Sequence, residues 1–277
     1  MLRYEIVDVF TARAFTGNPL AVVLNGHDLT TTQMQAIAGE FNLSETVFVL
    51  PPTDDATYRV RIFTPNTELP YAGHPSIGTA VTLARRGDIP QGNVLQECRD
   101  SVFPVTVEGE FATLSGATPS VGERVDPAGL LEMAGLEPSD LAGTPMRASA
   151  GLEFTYLPVK PDAVGRASRH SHSEFSEVYV FSYDSERRVV HARLFDRDLG
   201  IGEDPATGSG ALGLGAYLAE VGAVSDGSTT YVVEQGAEIK RPSQLECTVD
   251  VKGGRARSVQ VRGQALLVAR GELLTLP

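Results

Sequence analysis

The chain has 277 residues, of which 42% are hydrophobic and 21% are charged. This composition excludes an intrinsically disordered chain, and two cysteines are too few for a small disulfide-stabilised scaffold. With 23 basic and 35 acidic residues the net charge is −12, which disfavours nucleic acid and anionic membrane surfaces as partners. The length allows one large domain or two domains of about 140 residues.

The first half of the chain is predicted to alternate strands with helices. Its first helix is expected at residues 30–41, where Thr30 and Gln33 have the spacing of a capping box. A second helix is expected from His74 to Arg86, with Pro75 in its first turn as the proposed first helical position and Gly87 as the stop. Strands are predicted at residues 4–10, 20–24, 46–50 and 58–63, with more between 95 and 114.

The second half of the chain is predicted to repeat this alternation after a segment rich in Gly, Pro and Ser at residues 115–126. We therefore expect two domains, 1–118 and 119–277, with the last strand allowed to return to the first domain. A helix is expected at 209–221. Strands are predicted at residues 154–159, 177–182, 191–195, 229–234, 246–251 and 259–269.

An internal repeat relates the two halves of the sequence. In each copy an Arg-x-Phe triplet precedes an acidic loop, and two glycines five residues apart then open a helix. The first copy consists of Arg61-Ile62-Phe63, Glu68, Gly73-His74 and Gly78, and the second consists of Arg193-Leu194-Phe195, Glu203-Asp204, Gly208-Ser209 and Gly213. The repeat favours gene duplication over chance.

Each copy of the repeat has a glycine-rich turn at a predicted helix N-terminus. Such an end offers unpaired N–H donors and partial positive charge, so it could bind a carboxylate without a basic side chain. The alternative is an ordinary helix start with glycines for a tight turn. Residues 208–213 also match the dinucleotide pattern G-x-G-x-x-G, but a loop of about a dozen residues separates them from the preceding strand, which argues against that use.

Several single residues are candidates for acid–base chemistry, each with a structural alternative. Glu45 follows a turn and could be a general acid/base if its site excludes water, or a solvated turn residue. His74 and Ser209 could be helix caps, and Asp204 before Pro205 could form a turn. His, Cys and carboxylate residues show no ligand spacing, so we expect neither a metal nor an organic cofactor.

The same segments resemble a known family. The matching segments are Asp8–Thr11, Phe15–Val23, Asn42–Thr46, Arg61–Pro65, Glu68–Pro75, Glu203–Ser209, Gln235-Gly236 and Arg241-Pro242-Ser243. In this order they resemble the phenazine-biosynthesis isomerase (PhzF-like) family over nearly the whole chain. One block departs from the family pattern, since Ile239-Lys240 stands where Met-Gly is usual.

The resemblance implies an α/β (α+β) fold like that of diaminopimelate epimerase. In that fold two similar domains each wrap a curved, mostly antiparallel sheet or barrel around a central helix, and the active site lies between them. Related racemases use a Cys at the start of each central helix, where this chain has His74 and Ser209. A mechanism with two thiols is therefore not expected here.

The resemblance also implies roles for individual residues. Glu45, His74 and Asp204 match the catalytic residues, while Asn18, Gly73, Gly208 and Ser209 match the substrate-binding positions. The expected activity is a cofactor-independent isomerisation that moves a proton on a small carboxylated, cyclic substrate, similar to dihydro-hydroxyanthranilate. The expected protein is a cytoplasmic homodimer. The alternatives are a nicotinamide-dependent oxidoreductase and a non-catalytic metabolite-binding protein with the same fold.

Overall fold

A computed structural model of the chain describes residues 2–53, 55–170, 175–197 and 202–277. The chain divides into two compact units: Met1–Ser115 together with Arg262–Pro277, called unit 1, and Gly116–Val261, called unit 2. The domain limits 1–118 and 119–277 remain a proposal about independently folding domains. In the described part of the chain, no helix has both the length and the apolar character needed to cross a membrane.

Unit 1 is built from strands around one helix, with a second helix outside. Its elements are β1 (Leu2–Val9), β2 (Asn18–Val23), α1 (Thr31–Phe41), β3 (Glu45–Leu50), β4 (Tyr58–Phe63), β5 (Glu68–Leu69), α2 (Gly73–Arg86), β6 (Gly92–Cys98), β7 (Ser101–Glu108) and β8 (Phe111–Ser115).

Unit 2 is also built from strands around one helix, with further helices outside. Its elements are β9 (Ser120–Arg124), α3 (Pro127–Ala134), β10 (Met146–Ser149), β11 (Glu153–Pro158), α4 (Pro161–Arg166), β12 (Glu177–Asp184), β13 (Val189–Asp196), β14 (Gly202–Asp204), α5 (Gly208–Glu220), β15 (Gly227–Gln235) and β16 (Ser243–Lys252). The strand β17 (Arg255–Leu273) begins in unit 2 and ends in unit 1.

The sheet of unit 1 closes on itself. The pairing runs β1–β2–β3–β4–β6–β7–β8–β17 and returns to β1. The pairs β2–β3 and β4–β6 are parallel, and the pairs β1–β2, β3–β4, β6–β7, β7–β8 and β1–β17 are antiparallel. Inside this ring lies α2, whose residues from Gly73 to Leu83 are all buried. A helix with no exposed face in its first three turns belongs to a core, as the predicted central helix requires.

Unit 2 repeats the order of strand pairs in unit 1. In unit 1, the antiparallel pair β1–β2 is followed by parallel β2–β3, antiparallel β3–β4 and parallel β4–β6. Unit 2 has the same order of directions: antiparallel β10–β11, parallel β11–β12, antiparallel β12–β13 and parallel β13–β15. The central helix of unit 2 is α5, buried from Gly208 to Ala219. The predicted fold class of two similar α/β domains is thus confirmed.

The repeated Arg-x-Phe triplet has the same structural role in both units. Arg61 and Arg193 each make a bidentate pair with a glutamate, Glu68 in β5 and Glu203 in β14, with shortest N–O distances of 2.7 Å. Each guanidinium also lies over the phenylalanine two residues later in its triplet. The pair therefore fixes the short strand that leads into each central helix.

The local sequence signals define several elements correctly and miss others. The capping box of α1 is confirmed, because Thr30 accepts from the Gln33 N–H and Gln33 reaches back to Thr30. Pro75 is the third residue of α2 and not the first, since the helix begins at Gly73. Its missing N–H still falls within the first turn, where no intrahelical acceptor exists. The sequence did not predict α3, α4, β9 or β10.

Candidate active site

Three of the candidate residues meet at one end of unit 1. Asn18 begins β2, Glu45 begins β3, and His74 is the second residue of α2. Because β2 and β3 are parallel, both strands begin at the same edge of the sheet, and the central helix begins there too. Asn18 Nδ2 lies 3.2 Å from His74 Nδ1, and His74 Nε2 lies 3.3 Å from Glu45 Oε2.

Burial determines the protonation of this group. The side chains of His74 and Glu45 are only 3% and 9% exposed, and desolvation lowers the pKa of His74 from 6.5 to about 3. The imidazole is therefore neutral at physiological pH. An amide nitrogen has only donors, so Asn18 donates to His74 Nδ1 and the ring proton lies on Nε2, towards Glu45. Asn18 thus orients His74, whose Nε2 lies close to Glu45 Oε2 but outside hydrogen-bond geometry.

The start of α2 adds backbone donors beside this group. The N-cap residue is Ala72, which has no side-chain oxygen for the first N–H groups of the helix, and the first turn contains no acidic residue. Gly73 and His74 are buried here. The unpaired N–H groups and the helix dipole favour an anionic group at this position. The binding of a carboxylate at Gly73 stays a prediction.

The remaining candidates lie together in unit 2. Asp204 ends β14, while Gly208 and Ser209 are the first two residues of α5, and all three are buried. The N-cap residue Thr207 donates its hydroxyl to Asp204 Oδ2 at 2.7 Å and does not cap the helix. The interpretation of Ser209 as the N-cap is therefore wrong, because the helix already begins at Gly208.

The loop between Asp204 and α5 is held by residues that the sequence analysis did not assign to the site. Gln235 donates to the Asp204 carbonyl at 2.8 Å and accepts from the Thr207 N–H at 3.2 Å. Ser243 donates to the Pro205 carbonyl at 3.1 Å. Gln235 and Ser243 belong to the two later blocks of the family resemblance, and that was the only signal available for them.

The departure from the family pattern at residue 240 places a lysine in a left-handed backbone conformation. Lys240 is exposed and has a φ of 62°, a left-handed conformation that glycine adopts easily and lysine does not. Its N–H donates to the Ala237 carbonyl at 3.0 Å, within a turn. The lysine therefore occupies the conformation expected of the usual glycine, with its side chain in solvent.

The glycines of the G-x-G-x-x-G pattern serve packing inside unit 2. All of them lie within α5, where a Cβ atom on Gly210 would lie 2.7 Å from Tyr179 Cε2 and one on Gly213 would overlap Tyr156 Oη. Tyr156 also donates its hydroxyl to the Gly210 carbonyl at 2.7 Å. These glycines make room for tyrosines from the surrounding sheet, and nothing in this arrangement favours a dinucleotide.

Within residues 2–53, 55–170, 175–197 and 202–277, no group of three or more His, Cys, Asp or Glu side chains is placed to hold a metal ion.

Comparison with known proteins identifies the family. The model of the phenazine biosynthesis-like protein family, PhzC–PhzF, matches residues 7–127 and 150–271. An uncharacterized isomerase of Mesorhizobium japonicum is 37% identical, with 98% of each chain covered. The trans-2,3-dihydro-3-hydroxyanthranilate isomerase of Pseudomonas aeruginosa is 33% identical and covers 98% of this chain and 99% of its own. The crystal structure of a PhzF-family phenazine biosynthesis protein from Bacillus anthracis has a TM-score of 0.87 at 28% identity, with 99% of each chain covered.

These likenesses extend over the whole length of the fold described above. The chain is an isomerase of the PhzF-like type. It belongs to the phenazine biosynthesis-like protein family.

Proposed function

We propose that this isomerase moves a proton on a small, cyclic, carboxylated substrate without a cofactor, and that Glu45 carries the proton. The observation that supports this most directly is the arrangement of Asn18, His74 and Glu45. A buried carboxyl group lies beside a neutral imidazole, whose own orientation is fixed by an amide. Such a carboxyl is shielded from bulk water and can both accept and donate a proton.

The proposed reaction is a balanced isomerisation, in which substrate and product have the same atoms and the same number of electrons. Glu45 takes a proton from a ring carbon as the C–H electrons move into the conjugated system, and it then returns the proton to another carbon. The polar imidazole of His74, whose Nε2 lies 3.3 Å from Glu45 Oε2, favours the negative charge of the carboxylate before the first transfer. We assign substrate binding to Asn18, Gly73, Gly208 and Ser209, and a role in orienting the substrate to Asp204.

The relatives suggest the first compound to test. The curated relative from Pseudomonas aeruginosa is named for trans-2,3-dihydro-3-hydroxyanthranilate, a cyclic carboxylate. We expect this compound, or another from a panel of cyclic carboxylic acids, to exchange a carbon-bound proton with solvent deuterium when the enzyme is present. The measurement is NMR in deuterium oxide. Binding without exchange across the panel would favour the non-catalytic alternative.

The role of Glu45 is tested with Glu45→Gln, which is nearly isosteric but cannot carry a proton. We expect turnover to fall by at least ~10²-fold, the usual contribution of general acid–base catalysis, while substrate affinity stays close to wild type. Glu40→Gln is the matched control, because it removes an exposed carboxylate of the same unit and should leave turnover unchanged. Normal turnover in Glu45→Gln would exclude Glu45 as the proton carrier.

The expectations of a homodimer and of a cytoplasmic location stay predictions. Light scattering of the purified protein checks the oligomeric state, and cell fractionation checks the location.

A further inference from the structure

Strand register gives Glu45 a counterpart in unit 2. The Arg-x-Phe triplets end at Phe63 and Phe195. Phe63 lies opposite the residue that follows Glu45 in β3, and Phe195 lies opposite the residue that follows Glu177 in β12. Both glutamates are also the first residue of their strand. Glu177 therefore occupies in unit 2 the position that Glu45 occupies in unit 1.

The side chain of Glu177 lies on the face of β12 that is directed at the central helix. Alternate residues of a strand share a face, so Glu177 and Tyr179 are on the same side. The ring of Tyr179 packs against Gly210, in the first turn of α5. Glu177 lies two residues before Tyr179 and is therefore nearer to the end of the sheet at which α5 begins. This matches the position of Glu45 relative to the start of α2.

The two positions differ in what the helix offers to the carboxyl group. In unit 1 the second helical residue is His74, which contacts Glu45. In unit 2 it is Ser209, whose side chain is much shorter. Glu177 Oε1 accepts from the Thr155 N–H at 2.9 Å. Within the described part of the chain, the buried Oε2 of Glu177 has no hydrogen-bond partner, and neither has the hydroxyl of the fully buried Tyr179.

The groups around Glu177 favour its neutral form. Burial is the main cause that raises its pKa from 4.5 to about 7, and the carboxylate of Asp196, directly opposite on β13, raises it further. The hydrogen bonds from Thr155 and the charge of Arg147 on β10 act in the opposite direction. The phenol of Tyr156 on β11 also interacts electrostatically with it, while donating its hydroxyl to the Gly210 carbonyl. A carboxyl group in this environment keeps its proton up to neutral pH and is then a donor.

We propose that Glu177 is a further substrate-binding residue of unit 2, where its protonated carboxyl donates a hydrogen bond to a carboxylate oxygen of the substrate. The start of α5 favours an anionic group at the same end of the unit. An ionised Glu177 would place a further negative charge beside the carboxylate of Asp196 and would repel such a group, whereas a protonated one attracts it. The inference rests on the proposed function for the nature of the ligand, but not for the role of Glu45.

The test is the pH dependence of binding, with 2-aminobenzoate as a stable cyclic carboxylate probe. If binding needs the proton of Glu177, wild-type affinity measured by calorimetry should fall about tenfold between pH 6 and pH 8, for a pKa near 7. Glu177→Gln keeps a donor that does not titrate, so its affinity should change less than about twofold over this range. Glu132→Gln, which removes an exposed carboxylate of unit 2, should retain the wild-type profile.

A second variant tests the same point while leaving Glu177 in place. Asp196→Asn removes the negative charge opposite Glu177, so the midpoint of the affinity loss should move to lower pH. A midpoint that stays or rises would overturn the inference. So would a wild-type profile in folded Glu177→Gln, or the absence of measurable wild-type binding at pH 6. Should Glu177→Gln fail to fold, the Asp196→Asn result decides.

Failure of the proposed function gives a different pattern. Binding of the probe needs no turnover, so Glu45→Gln should show the same pH dependence as wild type. Normal turnover in Glu45→Gln with a flat profile in Glu177→Gln would reject Glu45 as the proton carrier and support Glu177 as a binding residue.

Discussion

The duplicated arginine–glutamate pair allows a comparison of one interaction at two degrees of burial. In unit 2, the side chains of Arg193 and Glu203 are 8% and 11% exposed. In unit 1, those of Arg61 and Glu68 are 25% and 18% exposed. Arg193 also donates to the carbonyls of Val164 and Ala167, so its guanidinium cannot move out to solvent without breaking further bonds.

Glu203→Gln should therefore destabilise the protein more than Glu68→Gln. The first change leaves a buried guanidinium without its counter-charge, which typically costs about 3–5 kcal/mol. The second leaves a guanidinium that water can reach, and we expect a loss of about 1–2 kcal/mol. At about 2–4 °C per kcal/mol for a unit of this size, Glu203→Gln should lower the unfolding midpoint by roughly 6–20 °C.

The assay is urea and thermal unfolding of both variants, followed by circular dichroism. The double variant Arg193→Met/Glu203→Leu is the control, because it removes both charges and should lose less stability than Glu203→Gln alone. If Glu203→Gln lowers the free energy of unfolding no more than Glu68→Gln does, burial does not determine how much the arginine–glutamate pair stabilises its unit. That result would refute the reasoning.

Two further predictions concern stability. The depressed pKa of His74 means that the unfolded chain is protonated first as pH falls below 6.5, so stability is lost towards pH 3 by up to about 1.4 kcal/mol per pH unit. The raised pKa of Glu177 has the opposite effect between pH 4.5 and 7, where stability is lost as pH rises. In urea titrations at several pH values, His74→Gln should therefore remove the loss of unfolding free energy towards low pH. Glu177→Gln should remove the loss of unfolding free energy that accompanies rising pH between 4.5 and 7. If the slope of unfolding free energy against pH is the same as in wild type, these assignments are contradicted. Gly213→Ala should cost about 1–3 kcal/mol, because its methyl group would overlap Tyr156 Oη, whereas Gly165→Ala in α4, with open space around it, should stabilise by about 0.5–1 kcal/mol. Equal effects in urea unfolding would show that the packing of α5 is looser than described.

Local signals in the sequence were sufficient for α1, for the central helix α2 and for the repeat. A capping box, a terminal glycine and a 3.6-residue period are properties of neighbouring residues, so α1 and α2 could be predicted with nearly correct limits. By contrast, α3 and α4 have eight and six residues and are too short for a period to be distinctive. Each begins with a proline, to which the sequence analysis assigned no helix start.

The candidate site could be predicted only in part, because its residues are far apart in the sequence. Asn18 and His74 are 56 residues apart, and their contact depends on the closure of the sheet around α2. The family resemblance supplied both residues without that geometry. The equivalence of Glu45 and Glu177 depends on strand register, which a shift of one residue would destroy. Glu177 was therefore predicted as part of a strand and assigned no role.

The path of β17 affects the order in which the two units can be completed. Unit 2 is one continuous stretch of chain, whereas the ring of unit 1 is closed by residues that follow unit 2. During synthesis, β1 and β8 must wait with open edges until the whole of unit 2 has been made. The usual order, in which the N-terminal part folds first, is therefore reversed for this chain. Losing only the part of β17 that follows Val261 would leave unit 2 complete but would open the barrel of unit 1.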